Sequence, residues 1–532
     1  MRIAGYILIV LGVASLAAHL FGVSFLNGGL LLASVLGAPI LGGLLLFIHR
    51  FLGQPPGIDN NHIFQRSLSA RGVVGLLVAV ALTGLYVVIY LGEELRIGAP
   101  TEARLELDRD GTILSATGAL APELAHFCEG CTGERWWEQT RYDRLFVHNS
   151  GFGQTVAAFL ESPRENATGS FWGSYVYRVS ATAGTENRAI VRIQRQDTAH
   201  HFFSRNVYPL LDPASGVISG KPADRWFFYG SLYTIAVLLF GVRMLLKYRH
   251  SRYQMIRTAS VMFFQLGFAY MIPNLLKLFK QPEFYFSYFW PLKPEYLYPS
   301  TWIGFLDQAG PGVYFVCFAA GMTFIATPTL TFFFGKRWYC SWVCGCGGLA
   351  ETMGDPFRQL SDKSLKAWQA ERWIIHGVLV LITLVTLLLW TNSLLGGELL
   401  GRLSDSFSKA YGLYIGAIFS GVIGVGFYPI MGSRVWCRFG CPMAAILGIL
   451  QKWFSRFRIT TNGGQCISCG NCSTYCEMGI DVRWYAQRGQ NIIRASCVGC
   501  GICSAVCPRG VLNLENGSVF DRYNTPGATV LR

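Results

Sequence analysis

Long apolar runs separated by short polar links recur along almost the whole chain. They cover residues 1–22, 30–48, 72–91 and 226–246, and then lie near 259–279, 311–334, 373–395 and 411–431. Several approach or exceed the ~18 apolar residues that mark a membrane helix, so the pattern predicts a polytopic α-helical bundle of about eight spans. The first run has an A-x-A-like end, as a signal peptide would. Its apolar character continues past that point, and the uncharged link 27–29 leads into the second run. A helical hairpin is therefore expected.

One long stretch breaks this pattern. Residues 92–225 alternate polar and apolar with period two through LELDRDGTILSATG and YVYRVSATAG…RAIVRIQRQ. Such alternation, bounded by turn residues, predicts antiparallel strands, with a helix near 151–161. The expected organisation is three helices in 1–91 and a mainly-β or α+β domain in 92–225, for which a PAS-like sensing or docking module fits. A membrane bundle in 226–455 and a cysteine-rich domain with its tail in 456–532 complete the chain.

Charge gives this layout a direction. The 532 residues are 52% hydrophobic and 14% charged, against about 25% charged in soluble domains. The net charge is +14, yet residues 93–225 hold 14 Lys+Arg against 17 Asp+Glu, so the rest carries +17. The link 49–71 carries Arg50, Arg66 and Arg71, and 247–258 has four Lys+Arg and no acid. Basic links belong on the cytoplasmic side. That places 92–225 outside an inner membrane and the C-terminus in the cytoplasm, where Lys452, Arg456 and Arg458 agree. The excess serves topology, and no nucleic-acid partner is expected.

Twelve of the sixteen cysteines fall in four tight groups, which favours metal or redox work over disulfide stapling. Two groups are CISCGNCSTYC and CVGCGICSAVCP, each with the C-x2-C-x2-C-x3-C spacing of a two-cluster ferredoxin, in which the fourth Cys of each run ligates the other cluster. Cys466, Cys469, Cys472 and Cys507 are thus expected to hold one 4Fe–4S cluster, and Cys497, Cys500, Cys503 and Cys476 the other. Gly470, Gly499 and Gly501 supply the tight turns. A zinc ribbon would use two pairs of ligands instead of two runs of four. Pro508 ends the second run, whereas Glu477 stands where the first would also carry Pro, and this departure touches the local turn more than the ligation.

The other two groups form a repeat. GKRWYCSWVCG (335–345) and GSRVWCRFGCP (432–442) place Gly, a basic residue, Trp and a C-x3-C pair at nearly the same offsets, which implies two related helical units facing each other. A spacing of four puts both thiols of a pair on one helical face, with Arg337 and Arg434 beside them. Cys340, Cys344, Cys437 and Cys441 are candidates for a metal centre or a redox-active thiol set. Cys346 is an extra thiol, Gly345 stands where the second copy has Pro442, and Cys317 reads as a small buried hydrophobe.

Two membrane C-x3-C motifs followed by a double-cluster ferredoxin block resemble the NosR/NapH-type membrane iron–sulfur proteins over roughly residues 250–520. The resemblance implies a membrane-bound electron-transfer protein, of the quinol dehydrogenase component type. It would relay electrons between a quinol or a cytoplasmic ferredoxin-like donor and an extracytoplasmic redox enzyme or carrier. A maturation factor supplying electrons to a metalloenzyme, or a membrane redox sensor, are the competing readings. The external flavin domain of such proteins needs an S-G-A-T-like sequence, and SATGA at 115–119 does not match it, so FMN is not expected. In the external domain Cys128 and Cys131 (CEGC) read as a disulfide pair, and Thr132 replaces the His that covalent haem needs. His376 is the one histidine well inside a span and has no partner for b-type haem. His200 and His201 read as a solvated turn. Nine aromatics in 284–302 read as an external loop in the interfacial belt, or as a wall of a quinone pocket.

Overall fold

The computed structural model describes residues 1–23, 26, 28–52, 73–92, 95–107, 113–118, 167–172, 175–183, 189–307, 310–395 and 412–518. Cys128, Cys131 and the helix expected near 151–161 lie outside them. Among the described residues, six helices are long and apolar enough to cross a membrane: Arg2–Leu20, Gly28–Phe51, Arg225–Lys247, Arg252–Leu278, Gly312–Phe334 and Leu365–Leu394. This is a multi-pass membrane protein. The other two expected runs coincide with the apolar helices Val73–Leu91 and Gly412–Gly426.

Local sequence explains how these helices start and bend. Asp224 caps Arg225–Lys247 by accepting from Phe227 N–H at 2.6 Å, and Ser364 caps Leu365–Leu394 through Ala367 N–H, satisfying N–H groups that lack a partner in the first turn. Three spans contain one wide π-type turn, at Ala33–Gly37, Gly267–Met271 and Met322–Ala326. In each, a proline follows two residues later: Pro39, Pro273 and Pro328. Proline removes one N–H and its ring crowds the preceding turn, and a widened turn relieves that crowding without ending the helix.

The chain divides into two compact units, Val87–Pro209 and a second one made of Met1–Tyr86 with Leu210–Arg532. The smaller unit carries the predicted strands: β1 (Arg96–Leu107), β2 (Ile113–Thr117), β3 (Ala167–Trp172), β4 (Tyr175–Ala183) and β5 (Ala189–Thr198). They form one antiparallel sheet in the order β2-β1-β5-β4-β3, with Leu105 opposite Val191 and Val179 opposite Ile193. His200 and His201 begin the helix Ala199–Asn206 instead of forming a turn, with the His200 ring 5.9 Å from that of Tyr208. The unit closes at Pro209. Residues 210–225 pack with the helical unit, where Asp212 accepts from Ala223 N–H at 2.8 Å.

The aromatic stretch 284–302 is not a loop lying in the outer belt. Trp290 N–H donates to Thr323 Oγ1 at 3.2 Å and its indole to Thr386 Oγ1 at 3.1 Å, and both threonines lie well inside the spans Gly312–Phe334 and Leu365–Leu394. Phe289 is fully buried, its ring 5.6 Å from that of Tyr339. Non-helical backbone survives at membrane depth only where protein encloses it, and here Phe284 stacked on Phe315 at 4.6 Å is part of that enclosure. Cys317 is also not a buried packing residue, being exposed on the outer face of Gly312–Phe334.

Candidate functional site

The C-terminal block is held by the hairpin-like pair β6 (Phe457–Thr461) and β7 (Leu512–Asn516), with Ile459 opposite Leu514. Between them the two cysteine runs take matching shapes. The third Cys of each sits in a one-turn helix, Asn471–Thr474 and Ile502–Ala505. The fourth closes the same kind of turn in both, through Gly479 N–H to Cys476 O and Gly510 N–H to Cys507 O, each at 3.3 Å. Glu477 therefore leaves the local turn intact, against the sequence expectation.

The runs exchange their fourth cysteines. Cys466, Cys469, Cys472 and Cys507 line one cavity, and Cys476, Cys497, Cys500 and Cys503 line the other. Val511 N–H donates to Cys507 Sγ at 3.3 Å. The first cavity faces outward, with Cys469 exposed, whereas Cys497 and Cys503 of the second are buried. Among the described residues, no three Cys, His, Asp or Glu side chains converge closely enough for a single ion. Four thiols standing apart around a cavity suit a cubane, whose iron atoms each take one of them.

The second run is fixed to the helical bundle through four successive carbonyls. Gln451 donates to Cys497 O, Ser341 to Val498 O, Tyr253 to Gly499 O and Gln254 to Cys500 O, each at 2.8 Å. Nothing in the cysteine spacing indicates these partners. One of them, Ser341, belongs to the first membrane C-x3-C motif.

That motif and its repeat share a backbone path. Gly335 and Gly432 take φ of 68° and 90° after the helices Thr327–Phe334 and Tyr428–Met431, a region that L side chains rarely enter. A short helix follows each, Arg337–Cys340 and Val435–Phe439. The second cysteines, Cys344 and Cys441, are the N-caps of Gly345–Glu351 and Pro442–Trp453. The thiols of a pair thus straddle a helix break and do not share one helical face. The i+4 spacing is closed by a looser turn, with Cys344 N–H bonded to Tyr339 O at 2.8 Å and Cys441 N–H to Trp436 O at 3.0 Å. A Cβ on Gly345 would lie 3.2 Å from Gln265 Oε1, so a proline ring matching Pro442 would press on that side chain.

All four thiols lie in one core cluster, where Tyr339 and Trp436 also pack. Burial and then the neighbouring Cys437, Cys340 and Cys344 push the Cys441 thiol well up, and burial takes Cys340 to about 12. Cys346 joins the set. Its hydrogen bond holds the Cys344 thiol down while its own thiol is raised. The two basic residues part company. Arg434 Nη1 lies 3.6 Å from Cys437 Sγ. Arg337 turns away to Asn516 at 3.0 Å, with Phe457 beneath it, and buried Lys336 replaces it as the cation near Cys340 and Cys437.

An ionic network absent from the sequence reading runs between these sites. Asp355 meets Arg243 at 2.7 Å, Lys247 at 2.5 Å and Arg358 at 2.8 Å. Glu477 meets Arg358 at 2.8 Å and Arg434 at 2.9 Å, and Glu351 meets Arg434 at 2.6 Å and also Arg257. Burial opposes ionisation of Asp355 and Glu477, but the surrounding cations outweigh it and hold both carboxyls below their usual range. Five basic side chains face three acidic ones. Buried excess charge is costly unless balanced, and Glu477 lines the second cavity, where a cubane held by four thiolates would be a dianion. The donor set and the charge around it both fit such a cluster.

Two comparisons with known proteins bear on these sites. A 4Fe-4S binding domain family (Fer4_5) matches twice, over residues 318–364 and 413–460, each match holding one C-x3-C pair. A second 4Fe-4S binding domain family (Fer4) matches residues 491–513. The chain is similar to the methylamine utilization ferredoxin-type protein MauN of Methylobacillus flagellatus, 26% identical over 193 residues, covering 33% of this chain and 64% of that protein. It is also similar to the putative electron transport protein YccM of Escherichia coli, 26% identical over 153 residues, covering 26% of this chain and 41% of that one. The chain thus spans less than two thirds of either relative's length. No solved structure matches it. The chain is a multi-pass membrane protein that carries 4Fe–4S binding domains of two kinds, and the NosR/NapH-type resemblance fits both.

Proposed function

We propose that this chain is a membrane-bound electron carrier. Cys466, Cys469, Cys472 and Cys507 would hold one 4Fe–4S cluster, and Cys476, Cys497, Cys500 and Cys503 a second. Cys340, Cys344, Cys437 and Cys441 would hold a further thiolate-bound centre. Iron–sulfur clusters at these thiols supply one-electron carriers over a wide range of potential. The names of the two relatives, ferredoxin-type and electron transport, support the same role.

The observation that carries this reading is the 2.8 Å bond from Ser341 Oγ to Val498 O. It joins the loop between Cys340 and Cys344 to the run between Cys497 and Cys500. A buried thiol set and a buried cluster site are thereby one hydrogen bond apart, while the first cluster site opens to solvent at Cys469. Such a series suits relay between a soluble donor and the membrane interior. Protein encloses the route on the far side as well, where Phe289 packs on Tyr339, the residue before Cys340.

On the positive-inside argument the C-terminal block is cytoplasmic and residues 92–225 are extracytoplasmic. The donor is then the quinol pool or a cytoplasmic ferredoxin-like protein, and the acceptor an extracytoplasmic redox enzyme or carrier. The antiparallel sheet with its first and last strands paired inside supports the PAS-like reading of the external unit. Iron and acid-labile sulfide analysis of anaerobically purified protein, followed by quinol-driven reduction monitored optically, tests the proposal. Iron and sulfide well below eight of each per chain would defeat it, and clusters that neither quinol nor reduced ferredoxin can reduce would defeat the relay.

A further inference from the structure

The helix Leu365–Leu394 has 30 residues, about 45 Å at 1.5 Å per residue, against ~30 Å of hydrocarbon. Roughly its first ten residues therefore project on the side of the cysteine-rich block. There a cavity of about 680 Å³ opens between those first turns, the end of Pro442–Trp453 and the segment 493–496. Its inner wall is apolar, formed by Ile375, Ala445, Ile449 and Met478.

The lining carries five basic side chains, Lys336, Arg372, Arg438, Lys452 and Arg494, and one carboxylate, Glu371. Glu371 is taken by Arg438 at 2.7 Å. Arg372 and Arg494 both lie over the Trp368 ring, at 5.3 and 5.1 Å, so two like charges share one aromatic platform. At the rim Trp373 is 82% exposed and Trp453 60% exposed, as indoles are where helices enter the headgroup layer.

We propose that this cavity binds the phosphate headgroup of an anionic phospholipid, with Arg372 and Arg494 meeting the phosphate and Trp373 and Trp453 lying against the acyl chains. Basic pockets between membrane helices take such headgroups. A free phosphate uses the cations and wastes the apolar wall and rim. A zwitterionic headgroup brings its own cation into a site already rich in them.

Full-length protein, delipidated in neutral detergent, is offered phosphatidylglycerol and phosphatidylcholine at equal concentration, and adducts are counted by native mass spectrometry. The proposal requires a clear preference for phosphatidylglycerol that inorganic phosphate at the same concentration does not remove. Arg372→Gln and Arg494→Gln should each weaken phosphatidylglycerol binding about fivefold, with iron content at the parent level showing the fold intact. Lys366→Gln, on the same helix outside the cavity, should leave it unchanged. Equal retention of both lipids overturns the proposal, as does displacement by inorganic phosphate or parent-like binding in both arginine variants. The lipid comparison on the parent chain decides the matter even if a variant fails to fold.

Discussion

Arg434 and Glu477 meet as a fully buried ion pair at 2.9 Å. The first lies three residues before a membrane cysteine, and the second directly follows Cys476 in the cluster-binding block. Arg434 also reaches Cys437 Sγ and Cys340 O, at 3.6 and 3.3 Å. One guanidinium thus touches both membrane cysteine motifs and a residue lining the second cysteine-lined cavity.

Breaking this pair should be expensive. Glu477→Gln leaves Arg358 with Asp355 and Arg434 with Glu351 as their remaining carboxylates, one negative charge fewer in the interior, and removing one partner of a buried pair costs up to about 3–5 kcal/mol. The expected result is a lower unfolding midpoint and iron loss centred on the second cluster. Glu477→Pro, which restores the usual ferredoxin residue, should be no better, because the carboxylate is still gone. The double change Glu477→Gln with Arg358→Met should cost less than the two single changes added together.

Exchange of the fourth cysteines makes a spectroscopic prediction. Cys476→Ser should alter the same paramagnetic signal as Cys500→Ser, and Cys507→Ser the same one as Cys469→Ser. If Cys476→Ser instead perturbs the signal that Cys469→Ser removes, each run serves its own cluster and the cavity assignment is wrong.

The membrane thiols are tested by Cys340→Ser with Cys437→Ser. Metal content should fall while the signals of the C-terminal clusters persist. Because Cys346 lies within hydrogen-bonding reach of Cys344, Cys344→Ser alone should lose less metal than Cys340→Ser, and adding Cys346→Ser should remove that difference. Unchanged metal content in the first pair of changes would reduce these thiols to packing.

Gly335→Ala and Gly432→Ala probe the turn that sets both pairs. A Cβ at either site meets atoms closer than 3 Å, Gln451 and Phe457 in one case and Ser361 in the other, and the positive φ adds strain. Each should cost more than about 1 kcal/mol, read as reduced thermal stability with the second cysteine of the pair becoming reactive to a maleimide.

Acid should loosen the network at Asp355. Its carboxyl is depressed in the folded state, so its contribution is complete above the ordinary carboxylate value near ~4 and is lost as pH falls toward the folded value. Stability followed by residual helicity should fall below about pH 4 in the parent, and Asp355→Asn should show a lower but flatter profile.

The sequence by itself determined what local chemistry can determine. Apolar run length located the spanning helices, because a helix in hydrocarbon must satisfy its own backbone and cover itself with apolar side chains. Period-two alternation located the strands of the smaller unit, and cysteine spacing grouped the thiols as they line the two cavities, four to each. The tertiary structure alone decided which residues serve those sets from a distance. Ser341, Gln451, Tyr253 and Gln254 hold four successive carbonyls of the second run, yet none carries a spacing signal, because a single hydrogen bond leaves no period. Glu477 looked like a lost proline and is the anionic junction of a buried network whose cations come from remote segments. Arg337 and Arg434 occupy equivalent places in the repeat and part in the fold, because the cysteine-rich block offers the first Asn516 and the Phe457 ring and the second the buried carboxylate of Glu477. Trp290 and Phe289 read as an interfacial loop, and only their enclosure by neighbouring helices makes their depth possible. Pairing of charges and enclosure of backbone depend on what the rest of the chain brings alongside, and that information exists only once the chain has folded.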